Sequence, residues 1–161
     1  RVSGMFDFVD FSQCRKFVLV GSGQLPMTAL HVNDRTSVSE VLCVDVSLDA
    51  ILALKKLHRS ISGLRLDALQ CDGDNYDYSE ADIVYIANMV SPKSSVLERV
   101  VESAPEHVQI IVRVPYSFGR LWAEDLDFKR EYGLEITGRS AGSRYLSRDI
   151  YFKRQPELVA D

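Results

Sequence analysis

Apolar positions fall along this chain in short continuous runs, each followed by an amphipathic stretch. Phe17, Val18, Leu19 and Val20 form one such run, which stops at Gly21-Ser22-Gly23. A strand covered on both faces reads this way, because neither face needs polar residues. Residues 25–31 follow as a helix-like stretch, and Pro26 suits its first turn, where a missing N–H costs nothing. Residues 40–45 make a second apolar run. Over residues 48–58, Leu48, Ile51, Leu52, Leu54 and Leu57 recur at helical spacing. Residues 64–70 alternate as a third strand, and residues 82–87 form a fourth. Ser91-Pro92 reads as an N-cap followed by proline at the first helical position. That helix turns Val96, Leu97, Val100 and Val101 inward, and residues 108–112 supply a fifth strand.

Beyond residue 112 the pattern changes. Residues 116–128 read as loop and helix. Residues 133–137 and 145–153 read as two further strands joined by the polar, glycine-containing stretch 138–143. The order is β-α-β-α-β-(α)-β-α-β-α-β-β. Strands alternating with helices predict a doubly wound, mostly parallel α/β sheet with right-handed crossovers. The closing antiparallel hairpin gives it the Rossmann-like layout of class I methyltransferases. The 161 residues are expected to form a single domain, with residues 1–15 as a lead-in segment.

Charge and composition narrow the partners. The 19 basic and 23 acidic residues leave a net charge of −4, which argues against nucleic-acid binding through a basic footprint. No apolar run approaches the roughly 18 residues of a membrane span, and no signal-peptide pattern is present. Cys14, Cys43 and Cys71 are odd in number and far apart, so reduced thiols in a cytoplasmic protein are expected rather than a disulfide framework. His31, His58 and His107 are equally scattered, and no metal is expected. Two patches read as structural. Lys55, Lys56 and Arg59 look like a solvated helix face, and Phe118, Leu121 and Trp122 look like core. Arg148, Lys153 and Arg154 read as an exposed strand.

Candidate chemistry gathers at strand ends. Gly21-Ser22-Gly23 follows a buried strand and opens a helix, where glycines let the backbone turn tightly against a ligand. Pro26 takes the place of the third glycine in GxGxxG, which weakens a dinucleotide-binding reading. Asp45 closes the second strand, 24 positions after Gly21 (45 − 21). An acid there binds a ribose diol or, in the plainer reading, is solvated near a helix start where Asp49 is better placed to cap. Asp72, within Gln70-Cys71-Asp72-Gly73-Asp74, either meets an adenine edge or serves turn chemistry. All three features lie at carboxyl ends of strands, where open α/β sheets bind ligands.

The stretch Val20-Gly21-Ser22-Gly23-Gln24-Leu25-Pro26-Met27-Thr28 resembles the GSGxLPxT signature of the nicotianamine synthase family, including bacterial opine-metallophore synthases of the staphylopine and pseudopaline type. Val44 to Ala50 is similar to that family's second-strand DIDPxA stretch. Val112-Arg113-Val114 with Gly119 is similar to its MRxxxG region, and Gly4-Met5-Phe6-Asp7 to the segment ahead of its first strand. The resemblance spans roughly residues 4–128. It implies transfer of the 3-amino-3-carboxypropyl (aminobutanoyl) group of S-adenosylmethionine (SAM) to an amine such as that of histidine, with release of methylthioadenosine. Ordinary SAM-dependent methyl transfer and a non-catalytic nucleotide-binding module are the alternatives.

Carried over residue by residue, the resemblance puts Gly21, Ser22 and Gly23 beneath the amino-acid portion and ribose. Leu25, Pro26 and Thr28 shape the helix start. Asp45 holds the ribose hydroxyls and Val46 packs on adenine, with Asp72 and Gly73 at the adenine edge. Ala87, Asn88 and Met89 lie under the sulfonium. Arg113 and Tyr116 face the reacting side, Arg113 pairing with a substrate carboxylate or else forming a surface ion pair, and Tyr116 acting as a wall. The family's glutamate lies in a helical N-terminal domain and its tyrosine just ahead of the Rossmann part. The sequence begins at Arg1, and Met5 and Phe6 stand near the tyrosine position. No catalytic residue is therefore assigned: either those groups are expected on a helical domain outside these residues, or the chain is a divergent homologue. A homodimer is compatible with the sequence.

Overall fold

The computed structural model describes residues 7–127, 132–141 and 147–155. Among them, seven strands form one sheet in the order β3-β2-β1-β4-β5-β7-β6. The strands are β1 (Lys16–Val20), β2 (Glu40–Asp45), β3 (Leu66–Gln70), β4 (Ile83–Ile86), β5 (Gln109–Pro115), β6 (Leu134–Arg139) and β7 (Ser147–Arg154). The first five are parallel, and β7 pairs antiparallel with both β5 and β6. The described residues also form three α-helices: α1 (Met27–Arg35), α2 (Leu48–Ser60) and α3 (Lys93–Ser103).

The apolar runs become the central strands for a packing reason. Phe17 to Val20 and Ile83 to Ile86 are each buried along their whole length, so both faces of β1 and β4 carry core. One face packs Val18, Val20, Val84, Ile86 and Val112 against Val96, Leu97 and Val100 of α3. The other packs Phe17, Leu19, Tyr85 and Ile111 against Ala29 and Val32 of α1 and Leu54 of α2. The lead-in crosses this second face: Val9 and Cys14 join its core, and Phe8 stacks on Tyr151 at 4.8 Å.

Several boundaries and roles differ from expectation. Pro26 is the N-cap of α1 rather than a first-turn residue, and the helix runs on to Arg35. Helix α3 begins at Lys93 with Pro92 as its N-cap, so the Ser91 hydroxyl is released to donate to Glu124. Ser47, not Asp49, caps α2, accepting from the Ala50 amide. Between β3 and β4 the described backbone forms turns rather than a helix, and among the described residues of 116–128 a 3₁₀ turn over Ser117–Leu121 stands for the expected helix. Phe118, Leu121 and Trp122 are 69%, 79% and 55% exposed, so they are not core. A run that short cannot bury alternate faces while its backbone is turning. Strand β7 lies between β5 and β6, so its centre, Ile150 to Phe152, is buried, and Arg154 donates to the carbonyls of Val101 and Ala104 instead of facing water. Residues 1–6, 128, 142, 143, 145 and 146, which the sequence reading includes, lie outside the described residues. No helix among the described residues is long and apolar enough to cross a membrane.

Candidate functional site

The parallel strands all deliver their carboxyl ends to one edge of the sheet, and the order reverses direction between β1 and β4. That switch point is where a doubly wound sheet opens a crevice. The turn after β1 lies there. Gly21 and Gly23 both have left-handed backbone, at φ 76° and 63°, which a side chain would strain. The two glycines differ in their surroundings. A Cβ on Gly21 would stand 2.4 Å from Val90 Cγ2, whereas one on Gly23 would meet nothing within 4 Å. The lack of a side chain at Gly21 therefore also lets Val90 of the loop after β4 pack on it. Ser22 and Thr28 are buried, and Pro26 closes the turn from inside. Leu25, beside them, is 66% exposed.

Asp45 clasps this turn from the end of β2. Its Oδ2 accepts from the Gly23 amide at 2.8 Å and from the Ser22 hydroxyl at 3.5 Å, while Oδ1 accepts from the Ser47 amide at 2.9 Å. Three of the carboxylate's four acceptor sites are used, two on Oδ2 and one on Oδ1, so one site on Oδ1 is open and a diol would also take the place of the long Ser22 contact. The structure thus gives Asp45 a structural role in holding the glycine turn, which neither expectation included. Val46, the next residue, is 62% exposed beside it.

Asp72 sits in the turn after β3. Its carbonyl accepts from the Asn75 amide at 3.0 Å, its Oδ1 from the Asp74 amide at 3.5 Å, and its carboxylate is exposed. Turn chemistry and an open carboxylate therefore coexist. Gly73 is buried because it packs under β1: a Cβ there would lie 2.6 Å from Val20 Cγ1 and 3.2 Å from both γ carbons of Val96. The buried Tyr78 hydroxyl donates to the Gly73 carbonyl at 2.7 Å and fixes the turn.

The loop after β4 carries Ala87, Asn88 and Met89. The Ala87 amide donates to the Val20 carbonyl at 3.0 Å, so this loop is stitched to the glycine turn. Met89 is 69% exposed. Lys93, which sequence reasoning misses, is fully buried and donates to the carbonyls of Asn88 (2.6 Å), Val90 (3.0 Å) and Glu124 (2.7 Å). Burial lowers its pKa, with Glu124 and Asp125 acting in the opposite sense. The chain does carry a signal for it. Position 93 shares the inner face with Val96, Leu97 and Val100, and a lysine at such a position must find partners.

Arg113 forms an ion pair at its strand end, one of its two expected roles, but a half-buried one within the sheet rather than a surface one. It projects from β5 directly opposite Asp149 of β7 and makes a bidentate pair, Nε to Oδ1 at 2.8 Å and Nη2 to Oδ2 at 3.0 Å. The Tyr85 hydroxyl donates to the same Oδ1 at 2.8 Å, and the Arg113 guanidinium lies 5.3 Å over the Tyr85 ring. Burial opposes the charge on Arg113, but Asp149 outweighs it and keeps the group protonated. Burial first, then the Asp149 charge, raises the Tyr85 phenol well above its ordinary pKa. Two of the arginine's three nitrogens are thus committed to Asp149, which makes the pair half-buried rather than a surface one. Strand pairing with β7 brings Asp149 here, and residue spacing along the chain cannot reveal that. Tyr116, just after β5, is 43% exposed with the Arg148 guanidinium 5.6 Å over its ring.

The residues present fit an adenosyl sulfonium ligand chemically. An open left-handed glycine turn, a carboxylate at the end of β2 and exposed apolar side chains at Leu25, Val46 and Met89 lie along one edge of the sheet. Exposed apolar groups around an acid suit a flat base and a ribose better than they suit water. Among the described residues no cluster of three or more His, Cys, Asp or Glu side chains could hold a metal ion.

No family model and no curated protein matches the chain. Solved structures do. MtNAS, a nicotianamine synthase, in a variant bound to S-adenosylmethionine, matches with a TM-score of 0.80 at 18% identity over 96% of this chain and 60% of its own. The mitomycin 7-O-methyltransferase MmcR matches at 0.76 and 15% identity, over 96% of this chain and 53% of its own. An RNA methyltransferase from Salinibacter ruber with S-adenosyl-L-homocysteine matches at 0.69 and 16% identity, over 99% of this chain and 93% of its own. This chain therefore spans less than two thirds of the length of MtNAS and MmcR. At these identities the likeness establishes architecture, and the chain has the Rossmann-like class I methyltransferase fold with its antiparallel C-terminal strands.

Proposed function

We propose that this protein is a SAM-dependent transferase that moves the aminobutanoyl group of SAM to an amine acceptor, as in nicotianamine-like metallophore synthesis. The observation that carries the reading is the GSGQLPMT turn itself, held open at left-handed Gly21 and Gly23 and clasped by Asp45. The fold shared with SAM-bound MtNAS supports it. In the proposed site Asp45 takes the ribose hydroxyls, Val46 packs on the adenine, and Asp72 meets the adenine amino group. Ala87 and Met89 flank the sulfur. A sulfonium activates each carbon bonded to it, so regiochemistry follows from which carbon the crevice presents to the nucleophile. The neutral amine forms a bond to the terminal carbon of the aminobutanoyl chain. The carbon–sulfur bond breaks with its electron pair going to sulfur, and the amine loses a proton. No residue is assigned as the base that takes it.

Methyl transfer is the second reading, and the likeness to MmcR and the Salinibacter ruber enzyme favours it independently. The two separate by product. The intact protein incubated with SAM and histidine is expected to release methylthioadenosine, detected by liquid chromatography. Release of S-adenosylhomocysteine instead supports methyl transfer, and absence of SAM binding by calorimetry rejects both.

A further inference from the structure

The fully buried Lys93 does not earn its place by stability alone. Its ammonium satisfies three backbone carbonyls, but burying a charge is costly, and an apolar side chain of similar length fills such a space with less penalty. The loop it holds carries a second cost. Asn88 Oδ1 is a buried acceptor with no hydrogen-bond partner among the described residues. Two polar costs in one loop signal a conformation kept for a purpose.

The contacts show what that conformation fixes. Through Val90, Lys93 sets the side chain that packs on Gly21, where a Cβ would stand 2.4 Å from Val90 Cγ2. Through Glu124, it ties the same loop to the segment that follows β5. One ammonium therefore joins the glycine turn, the loop after β4 and the segment after β5. We infer that Lys93 is a positioning residue that sets the wall facing the amino-acid arm of the ligand, and so governs recognition of that arm rather than of the adenosine. The inference rests on the SAM-binding reading.

Calorimetry with two probes tests it. S-adenosylhomocysteine carries the arm and methylthioadenosine lacks it. Lys93→Met is expected to weaken S-adenosylhomocysteine binding at least about tenfold while methylthioadenosine binding stays within about twofold. Equal changes for both probes, or none, overturn the inference, since a purely structural lysine has no reason to distinguish them. Where Lys93→Met fails to fold, hydrogen exchange on the wild-type protein decides. S-adenosylhomocysteine should protect residues 123–125 together with 88–90, and methylthioadenosine, which keeps the sulfur but lacks the arm, should leave 123–125 unprotected. No protection of 123–125 by S-adenosylhomocysteine, or the same protection there by both probes, overturns it. Wild-type protein that binds neither probe rejects the SAM reading itself, a distinct outcome.

Discussion

Substituting alanine at Gly21 and at Gly23 compares two glycines of one turn that share a backbone conformation and differ in their neighbours. Both have left-handed φ, at 76° and 63°. Forcing an L side chain into that region costs about 1–2 kcal/mol at either position. At Gly23 nothing lies within 4 Å of the new Cβ, so the cost ends there. At Gly21 the Cβ would stand 2.4 Å from Val90 Cγ2 and 3.4 Å from Ala87 Cβ, so Val90 must move. Val90 sits on a loop whose own carbonyl is held by Lys93, and overpacking of this kind costs about a further 1–3 kcal/mol. Gly21→Ala should therefore lose about 2–5 kcal/mol and Gly23→Ala about 1–2 kcal/mol. For a chain of this size each kcal/mol lowers Tm by about 2–4 °C. Urea titration and thermal melts of both variants supply the comparison. Losses equal within error would show that Val90 does not press on the turn, and the packing argument would fail.

Other expectations follow from single contacts. Asp45→Ala should weaken SAM binding by about 1–3 kcal/mol, measured by calorimetry, because it removes a charged acceptor and releases the Gly23 amide; unchanged affinity removes Asp45 from the site. Tyr85→Phe should cost about 1.5–3 kcal/mol in urea titration, the value of a hydrogen bond to a charged partner, and a neutral result would mean that Asp149 does not depend on the phenol. For Asp82, burial pushes the carboxyl up, but the amides of Lys16 and Arg15 together with His107 outweigh it and hold the pKa below the usual carboxylate value. A depressed folded pKa gives stability that is complete above about pH 4 and is lost as pH falls through the folded value, so Asp82→Asn should flatten the acid limb of a Tm–pH profile. Cys14 and Cys43 are buried and pushed up to about 12, chiefly by burial, so iodoacetamide on the native protein should label Cys71 first by mass spectrometry.

The parallel half of the fold is legible because its strands are covered on both faces. Continuous apolar runs at 17–20 and 83–86 are too short for helices and too apolar for a solvated edge, which leaves central strands, and the glycine turn announces its own geometry. What stays hidden depends on strands far apart in sequence. Arg113 looks free at a strand end until β7 places Asp149 opposite it. Phe118, Leu121 and Trp122 look like core because they are large and apolar, yet a 3₁₀ turn has no second layer to bury them. Lys93 escapes notice because a charge on a helix defaults to solvent, although its spacing with Val96 and Leu97 marks the inner face. In the site, the residue types at strand ends are readable, while the hydrogen bonds that commit them are not. Asp45 shows the difference: its place at the end of β2 is evident, but its grip on Gly23 requires the register between β1 and β2.

The central claim is about which carbon of SAM is transferred, and isotope partition reads that directly. Two samples of SAM, one labelled in the methyl group and one in the carboxyl group, are turned over by the intact protein with histidine. Aminobutanoyl transfer predicts that the carboxyl label enters the amine product while the methyl label leaves in methylthioadenosine. A methyl label in the amine product, with the carboxyl label left in S-adenosylhomocysteine, would contradict the account.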